Sequence, residues 1–419
     1  MIKKLLNHGV NSHGVNSRGL NTHGLWSLFI VGGYISLLYV TGVTRYKTIF
    51  FALIAATALW HIIRYRKACL SQFKNPISLC IGIFTLVIIY GLLISPDWRG
   101  SLSDIKNSHF RDVLLMFALV VLVLMKTPQE QVLKMIITAF TAGLLFVCLR
   151  EIYLYYLDYR QGIMPFTNYN HRDVSDALII FFPVLIAHWN LMNKRSVWQW
   201  AGLLTLGALM LFVLLGTLAR GAWLAVLVMY FLAFGLNRNK GMIVAALLVL
   251  ALGAVAVSQY GLGKDNGILN HKLSQTDSSY RYQNGTQGTA YELIMEKPLK
   301  GHGIGRQVYN QTYDAAAIQN PDWTFRTSIG SHNIFLTYWF ACGIAGLLAM
   351  IYLVFTFSLS GAIAADRRDK LQFQVIITLV TSFLGYIVVR GNFENVHISV
   401  LGVLFALLLM ATRIEKRTA

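Results

Sequence analysis

The sequence predicts an all-α, polytopic integral membrane protein with about twelve transmembrane helices and one large external loop. Three observations carry this. Of 419 residues, 56% are hydrophobic and only 13% are charged, about half the charged fraction of a soluble globular domain. Apolar runs of about 20 residues recur along the chain, each long enough to cross a bilayer core of about 30 Å. The runs are continuously apolar rather than alternating, which excludes an outer-membrane barrel. A soluble enzyme and a secreted disulfide scaffold are excluded with it.

Residues 1–24 read as a cytoplasmic N-terminal tail. They carry a five-residue repeat, Asn11-Ser12-His13-Gly14-Val15 and its neighbours, expected to be a disordered polar segment rather than a metal site. No cleavable signal is evident before the first apolar run. Residues 25–258 hold nine spans, at 25–43, 47–63, 77–95, 111–125, 131–157, 175–192, 198–217, 221–236 and 241–258. The fourth is short. Residues 259–331 form the large loop, expected in the periplasm. Residues 332–412 hold three more spans, at 333–357, 371–389 and 396–412, and 413–419 form a C-terminal cytoplasmic tail.

Orientation follows from charge. With the N-terminus in the cytoplasm, the inner segments hold nineteen Lys/Arg against four acids, and the outer ones seventeen against fourteen. The net charges are then +15 inside and +3 outside, as the positive-inside rule requires. The formal charge of +18 therefore reports membrane topology, and nucleic acid is not an expected partner. The four cysteines lie in or beside apolar runs and read as small apolar fillers.

The sequence has no phosphate-binding G-x-x-x-x-G-K-[ST] loop. Gly301-His302-Gly303-Ile304-Gly305 follows a Pro-Leu-Lys stretch rather than an apolar strand, and reads as a tight turn. No acidic or His cluster suggests a divalent metal, and no cofactor is expected. The unusual feature is cations at the outer membrane face. In Thr217-Leu218-Ala219-Arg220-Gly221-Ala222-Trp223, Arg220 sits between two spans with almost no loop. It either snorkels to lipid phosphate or grips a lipid-linked phosphate or diphosphate in bidentate fashion. The loop offers Tyr280-Arg281-Tyr282, then Tyr291 to Leu299, which reads as a short amphipathic helix on the membrane face. It closes on Ser331-His332-Asn333. His332 suits a general base working near neutral pH, or else stands at a helix start capped by its neighbours.

The order of these features is many spans, Arg-Gly-Ala-Trp at a hairpin tip, Pro-Leu-x-Gly-x-Gly, Ser-His-Asn-x-Phe-Leu, then Gly343-Ile344-Ala345-Gly346-Leu347. This resembles the O-antigen ligase family and the wider superfamily that includes O-antigen polymerases. The motifs cover about residues 200–360, and the topology covers the whole chain. The resemblance implies a GT-C-like inner-membrane glycosyltransferase with its site facing the periplasm, working without metal or ATP. The implied donor is a glycan on undecaprenyl diphosphate, and the implied acceptor a sugar hydroxyl of lipid A–core, in a membrane of lipid partners. The alternative is an O-antigen polymerase, whose acceptor is another lipid-linked glycan. By the match of motifs His332 takes the role of general base, Arg220 binds diphosphate, and Arg281 is the basic residue of the loop. Family members more often carry that Arg nearer the position of Gln287. Other external groups expected to line an electropositive mouth are Arg150, Arg160, Asn168, Asn170, His171, Arg172, Asp176 and Arg390, with Asn333 beside the base.

Overall fold

The computed structural model describes residues 22–192, 196–239, 241, 281–365 and 369–413. Among the described residues every regular element is helical, and nine helices are long and apolar enough to cross a membrane. The chain is thus an all-α polytopic membrane protein. Its helices are α1 (Thr22–Leu37), α2 (Thr44–Arg64), α3 (Arg66–Gln72), α4 (Pro76–Leu93), α5 (Trp98–Leu124), α6 (Gln129–Arg160), α7 (Arg172–Leu191), α8 (Val197–Gly216) and α9 (Arg220–Asn237). They continue with α10 (Thr286–Glu296), α11 (Arg306–Gln319), α12 (Ile334–Ala365), α13 (Lys370–Asn392) and α14 (Ile398–Thr412). The expected span at 241–258 falls outside the described residues except for Gly241, as do loop residues 259–280 and the N-terminal repeat as far as Asn21.

The fourth expected span, 111–125, proves to be the second half of α5. This helix runs 27 residues and is π-helical over Lys106–Leu115. The polar stretch Lys106 to Asp112 had hidden its first half. Around the bundle, α12 packs on α4, α1 on α6, α14 on α5 and α7 on α13. Leu401, Phe405, Leu408 and Ala411 of α14 are fully buried, so this helix forms part of the core. By contrast, Ile63, Leu204 and Phe231 on α2, α8 and α9 are exposed. In water such surface invites aggregation; against acyl chains it is the solvated face. All four cysteines are free and buried, as expected of fillers.

The loop packs on the bundle through its glycines. Helix α12 breaks at Gly343, where φ is 62° and ψ −157°, a backbone conformation only glycine adopts readily. The break frees carbonyls from the helical ladder. The backbone N–H of His302 donates to Phe340 O at 2.8 Å, and that of Gly303 to Ala341 O at 3.0 Å. A Cβ at Gly301 would lie 2.4 Å from Gly343 N, so the two glycines allow the backbones to touch. The Gly-rich turn is therefore a packing device. Helix α10 begins at Thr286, before the expected Tyr291, and buries Ala290, Leu293 and Ile294. It packs against the start of α12, with Phe340, Tyr309, Tyr313 and Trp323 in the same small core.

Candidate active site

One end of the bundle gathers the start of α7, the α8–α9 hairpin tip, the start of α12 and the α13–α14 turn. The hairpin is ordered by its own sequence. Thr217 Oγ1 donates to Leu214 O at 2.7 Å, and the Trp223 indole N–H reaches the same carbonyl at 2.8 Å. Arg220 is the first residue of α9. A Cβ at Gly221 would lie 3.2 Å from Arg390 Nη1 and 3.3 Å from Phe393 Cβ. Glycine at that position lets the Arg-Gly start of α9 sit directly on the α13–α14 turn.

The start of α12 is capped by Asn333, whose Oδ1 accepts from the N–H groups of Phe335 at 2.9 Å and Leu336 at 3.2 Å. The Asn333 side-chain amide donates to Asn392 Oδ1 at 3.0 Å. Ser331 Oγ donates to Asn333 O at 2.9 Å. Capping is thus done by the neighbours of His332, and the imidazole is left for another task. His332 itself holds a left-handed backbone with φ 49°, a strained choice for a non-glycine residue. Its N–H donates to Asn395 Oδ1 at 3.0 Å, and Asn395 Nδ2 donates to Ile329 O at 3.2 Å. Gln287 ties α10 to the same turn, donating to Asn392 O at 2.7 Å.

The imidazole points at Glu394, with His332 Nδ1 3.2 Å from Glu394 Oε2. The other carboxylate oxygen accepts from Arg172, lies 3.7 Å from Arg390 Nη1 and 3.8 Å from Arg281 Nη2. Arg281 also donates to Phe393 O and stacks over the Phe393 ring, its Cζ 5.3 Å from the centroid. Arg390 is buried; Nε lies 3.4 Å from Asp176 Oδ1 and Nη2 donates to Ser175 Oγ at 3.0 Å. Its Nη1 has no hydrogen-bond partner among the described residues.

Burial pushes the Glu394 carboxyl up, but the His332 hydrogen bond and the charges of Arg172, Arg390 and His332 outweigh it and bring the pKa to about 2. Glu394 is therefore ionised at neutral pH, and its carboxylate accepts from His332 Nδ1–H. In the neutral imidazole this selects the tautomer with Nε2 as acceptor. Burial lowers the Arg281 pKa, and against the pull of Glu394 the nearby charges of Arg220 and Arg172 lower it further. Four guanidiniums, from Arg172, Arg220, Arg281 and Arg390, thus share one neighbourhood with two carboxylates, Glu394 and Asp176. The surplus is positive.

Of the residues singled out from sequence, the structure brings together His332, Asn333, Arg281, Arg172, Arg390 and Asp176, with Arg220 beside them. Arg160 stands apart: it is the exposed last residue of α6, and no hydrogen bond or ion pair among the described residues joins it to the cluster. Sequence reasoning missed Glu394, Asn392 and Asn395. The available signal was Glu394 placed four residues after Arg390 in the short stretch between two apolar runs.

The chain is 38% identical over 387 residues to the O-antigen ligase of Salmonella typhimurium (strain LT2), covering 92% of this chain and 95% of that relative. It belongs to the O-antigen ligase family. A family model described as O-antigen ligase matches residues 205–351. In this O-antigen ligase family member the matched stretch holds Arg220, Arg281, His332 and Asn333. The partners that complete the cluster, Arg172, Arg390 and Glu394, come from outside it.

Proposed function

We propose that this protein transfers an O-antigen glycan from undecaprenyl diphosphate to a sugar hydroxyl of lipid A–core, at the periplasmic face of the inner membrane. The observation that carries the proposal is His332 held on an ionised carboxylate in the midst of four guanidiniums. In the reaction, the acceptor hydroxyl oxygen attacks the anomeric carbon and the bond from that carbon to the diphosphate oxygen breaks. The hydroxyl proton passes to His332 Nε2. The electron pair leaves with undecaprenyl diphosphate, whose charge is met by Arg220 and Arg281, with Arg172 and Arg390 adding to the field. Arg390, buried and paired with Asp176 and Glu394, stands behind them, and Asn333 holds the base in place. The donor diphosphate is its own leaving group, so the step requires neither ATP nor a metal ion.

Twelve spans with both termini cytoplasmic fit this reading, and so does a periplasmic loop over residues 259–331. With that topology the clustered residues would face the periplasm. Alkaline phosphatase fused after Lys264 is expected to be active and the same fusion after Arg413 inactive. The reverse pattern would refute the topology.

Arg220→Ala is expected to reduce transfer by at least tenfold, with Arg220→Lys restoring it only in part. A lysine keeps the charge but loses the planar fork that matches phosphate. Wild-type transfer by Arg220→Lys would mark Arg220 as a lipid-facing cation only. In cells, deletion of the gene is expected to leave complete core without O-antigen and to accumulate lipid-linked glycan, read by lipopolysaccharide electrophoresis. Core bearing a single repeat would instead indicate a polymerase.

A further inference from the structure

A second histidine lies at the same end of the bundle and takes no part in the step above. His171 has a side chain only 4% exposed, with Nδ1 2.9 Å from Glu151 Oε2 and Nε2 3.2 Å from Asp158 Oδ2. The two carboxylates are seven residues apart on α6, hence two turns apart on one face. Tyr155, midway between them, stacks on the imidazole with ring centroids 3.8 Å apart and planes at 22°. A neutral imidazole has one N–H and can donate to one carboxylate; only the imidazolium donates to both. Burial alone lowers the His171 pKa, but the hydrogen bonds and charges of Glu151 and Asp158 prevail and hold it above its ordinary value.

The surrounding charges are few. On α6, Arg150 Nη1 lies 2.6 Å from Glu151 Oε1. On the α7 side stand Arg172 and Asp173, and the Asn170 amide donates to Asp158 at 3.4 Å. Helix α8 presents no charge here: Phe212 packs edge-on against Tyr155, and Gly216 faces the Tyr155 hydroxyl. His171 is therefore clasped to α6 by charge, and the next residue in the chain is Arg172, which donates to Glu394.

We propose that His171, as an imidazolium locked between Glu151 and Asp158, is a positioning residue that sets Arg172 on Glu394 and so completes the charge arrangement around His332. The inference rests on the proposed function only through what that arrangement does. Loss of the His171 proton removes one donor and leaves two carboxylates facing an uncharged ring. The connection from α6 to α7 then loosens, and Arg172 with it. Transfer should consequently fail on the alkaline side as His171 gives up its proton.

The test uses the full-length protein in lipid nanodiscs, as wild type, His171→Gln and His171→Lys. Transfer is measured from pH 5.5 to 10, together with hydrogen–deuterium exchange protection of residues 161–174. The wild type is expected to show an alkaline decline, with protection of 161–174 falling over the same range. His171→Gln should lose roughly 10- to 100-fold in kcat/KM at neutral pH, lack that alkaline limb, and show low protection throughout. His171→Lys should keep activity within a few-fold and move the limb to higher pH, since an amine holds its proton longer. Wild-type kcat/KM in His171→Gln would overturn the proposal. So would a loss of rate with the alkaline limb unchanged, or protection insensitive to both pH and substitution. A wild type that transfers no glycan would refute the proposed function, and the exchange data would still decide the clasp.

Discussion

His332→Asn is expected to lower glycan transfer by 10²–10⁴, the usual worth of a positioned general base, while leaving membrane insertion and protein level unchanged. Asparagine is the informative replacement. It tolerates the left-handed backbone that His332 adopts, with φ 49°, better than other non-glycine residues. It also caps helices well, so any role of position 332 at the start of α12 would survive the change. It cannot accept a proton near neutral pH. Rates from purified protein at matched levels provide the check. Robust transfer by His332→Asn would show that Asn333 and Ser331 organise this turn and that the imidazole is dispensable.

Glu394→Gln is expected to have the second largest effect, of the order of 10²-fold or more, although Glu394 touches neither substrate in the proposed step. An amide-for-carboxylate change behind a catalytic imidazole costs up to about 10⁴ where the carboxylate sets the tautomer. Glutamine can present an N–H to His332 Nδ1, which would turn Nε2 into the N–H and remove the base. The same change also leaves Arg172, Arg281 and Arg390 without the anion they share. The expected signature is a fall in kcat with a smaller change in KM. Glu394 itself should not be protonated by mild acid. A carboxyl whose folded pKa is depressed from 4.5 to about 2 contributes stability that is fully present above 4.5 and is lost only as the pH falls towards 2. A Glu394→Gln protein with wild-type kcat would sever the link between Glu394 and the base.

The membrane architecture was legible because it rests on composition and on run length, both of which bilayer thickness dictates. Eleven of the twelve expected spans meet an apolar helix among the described residues. The short fourth span was read wrongly at its start because Lys106, His109 and Arg111 interrupt the hydropathy. In the fold His109 Nε2 pairs with the Tyr338 hydroxyl at 2.8 Å, so the ring is satisfied inside the bundle. The two cations of the loop and hairpin were legible for a different reason: a charge at a membrane face is costly unless paired or used. Their common partner was not. Glu394 meets Arg172 across 222 positions and His332 across 62, separations for which local periodicity carries no information. Gln287 illustrates the same limit. The resemblance placed the loop arginine nearer this position, and in this chain a glutamine there ties α10 to Asn392. Arg281 reaches Glu394 from six residues earlier, before α10 begins. Arg160 had the right charge, but as the exposed last residue of α6 it has no hydrogen bond or ion pair to the cluster among the described residues.

The most direct test is transfer in a purified system containing only the protein, undecaprenyl-diphosphate-linked O-antigen and lipid A–core, with chelator present and ATP omitted. The account predicts lipid A–core carrying the glycan, with undecaprenyl diphosphate released in equal amount, and no such product from His332→Asn. Longer undecaprenyl-linked glycan with unmodified core would contradict the acceptor assignment. Product that appears only when a divalent metal or ATP is restored would contradict the mechanism drawn from His332, Glu394 and the four arginines.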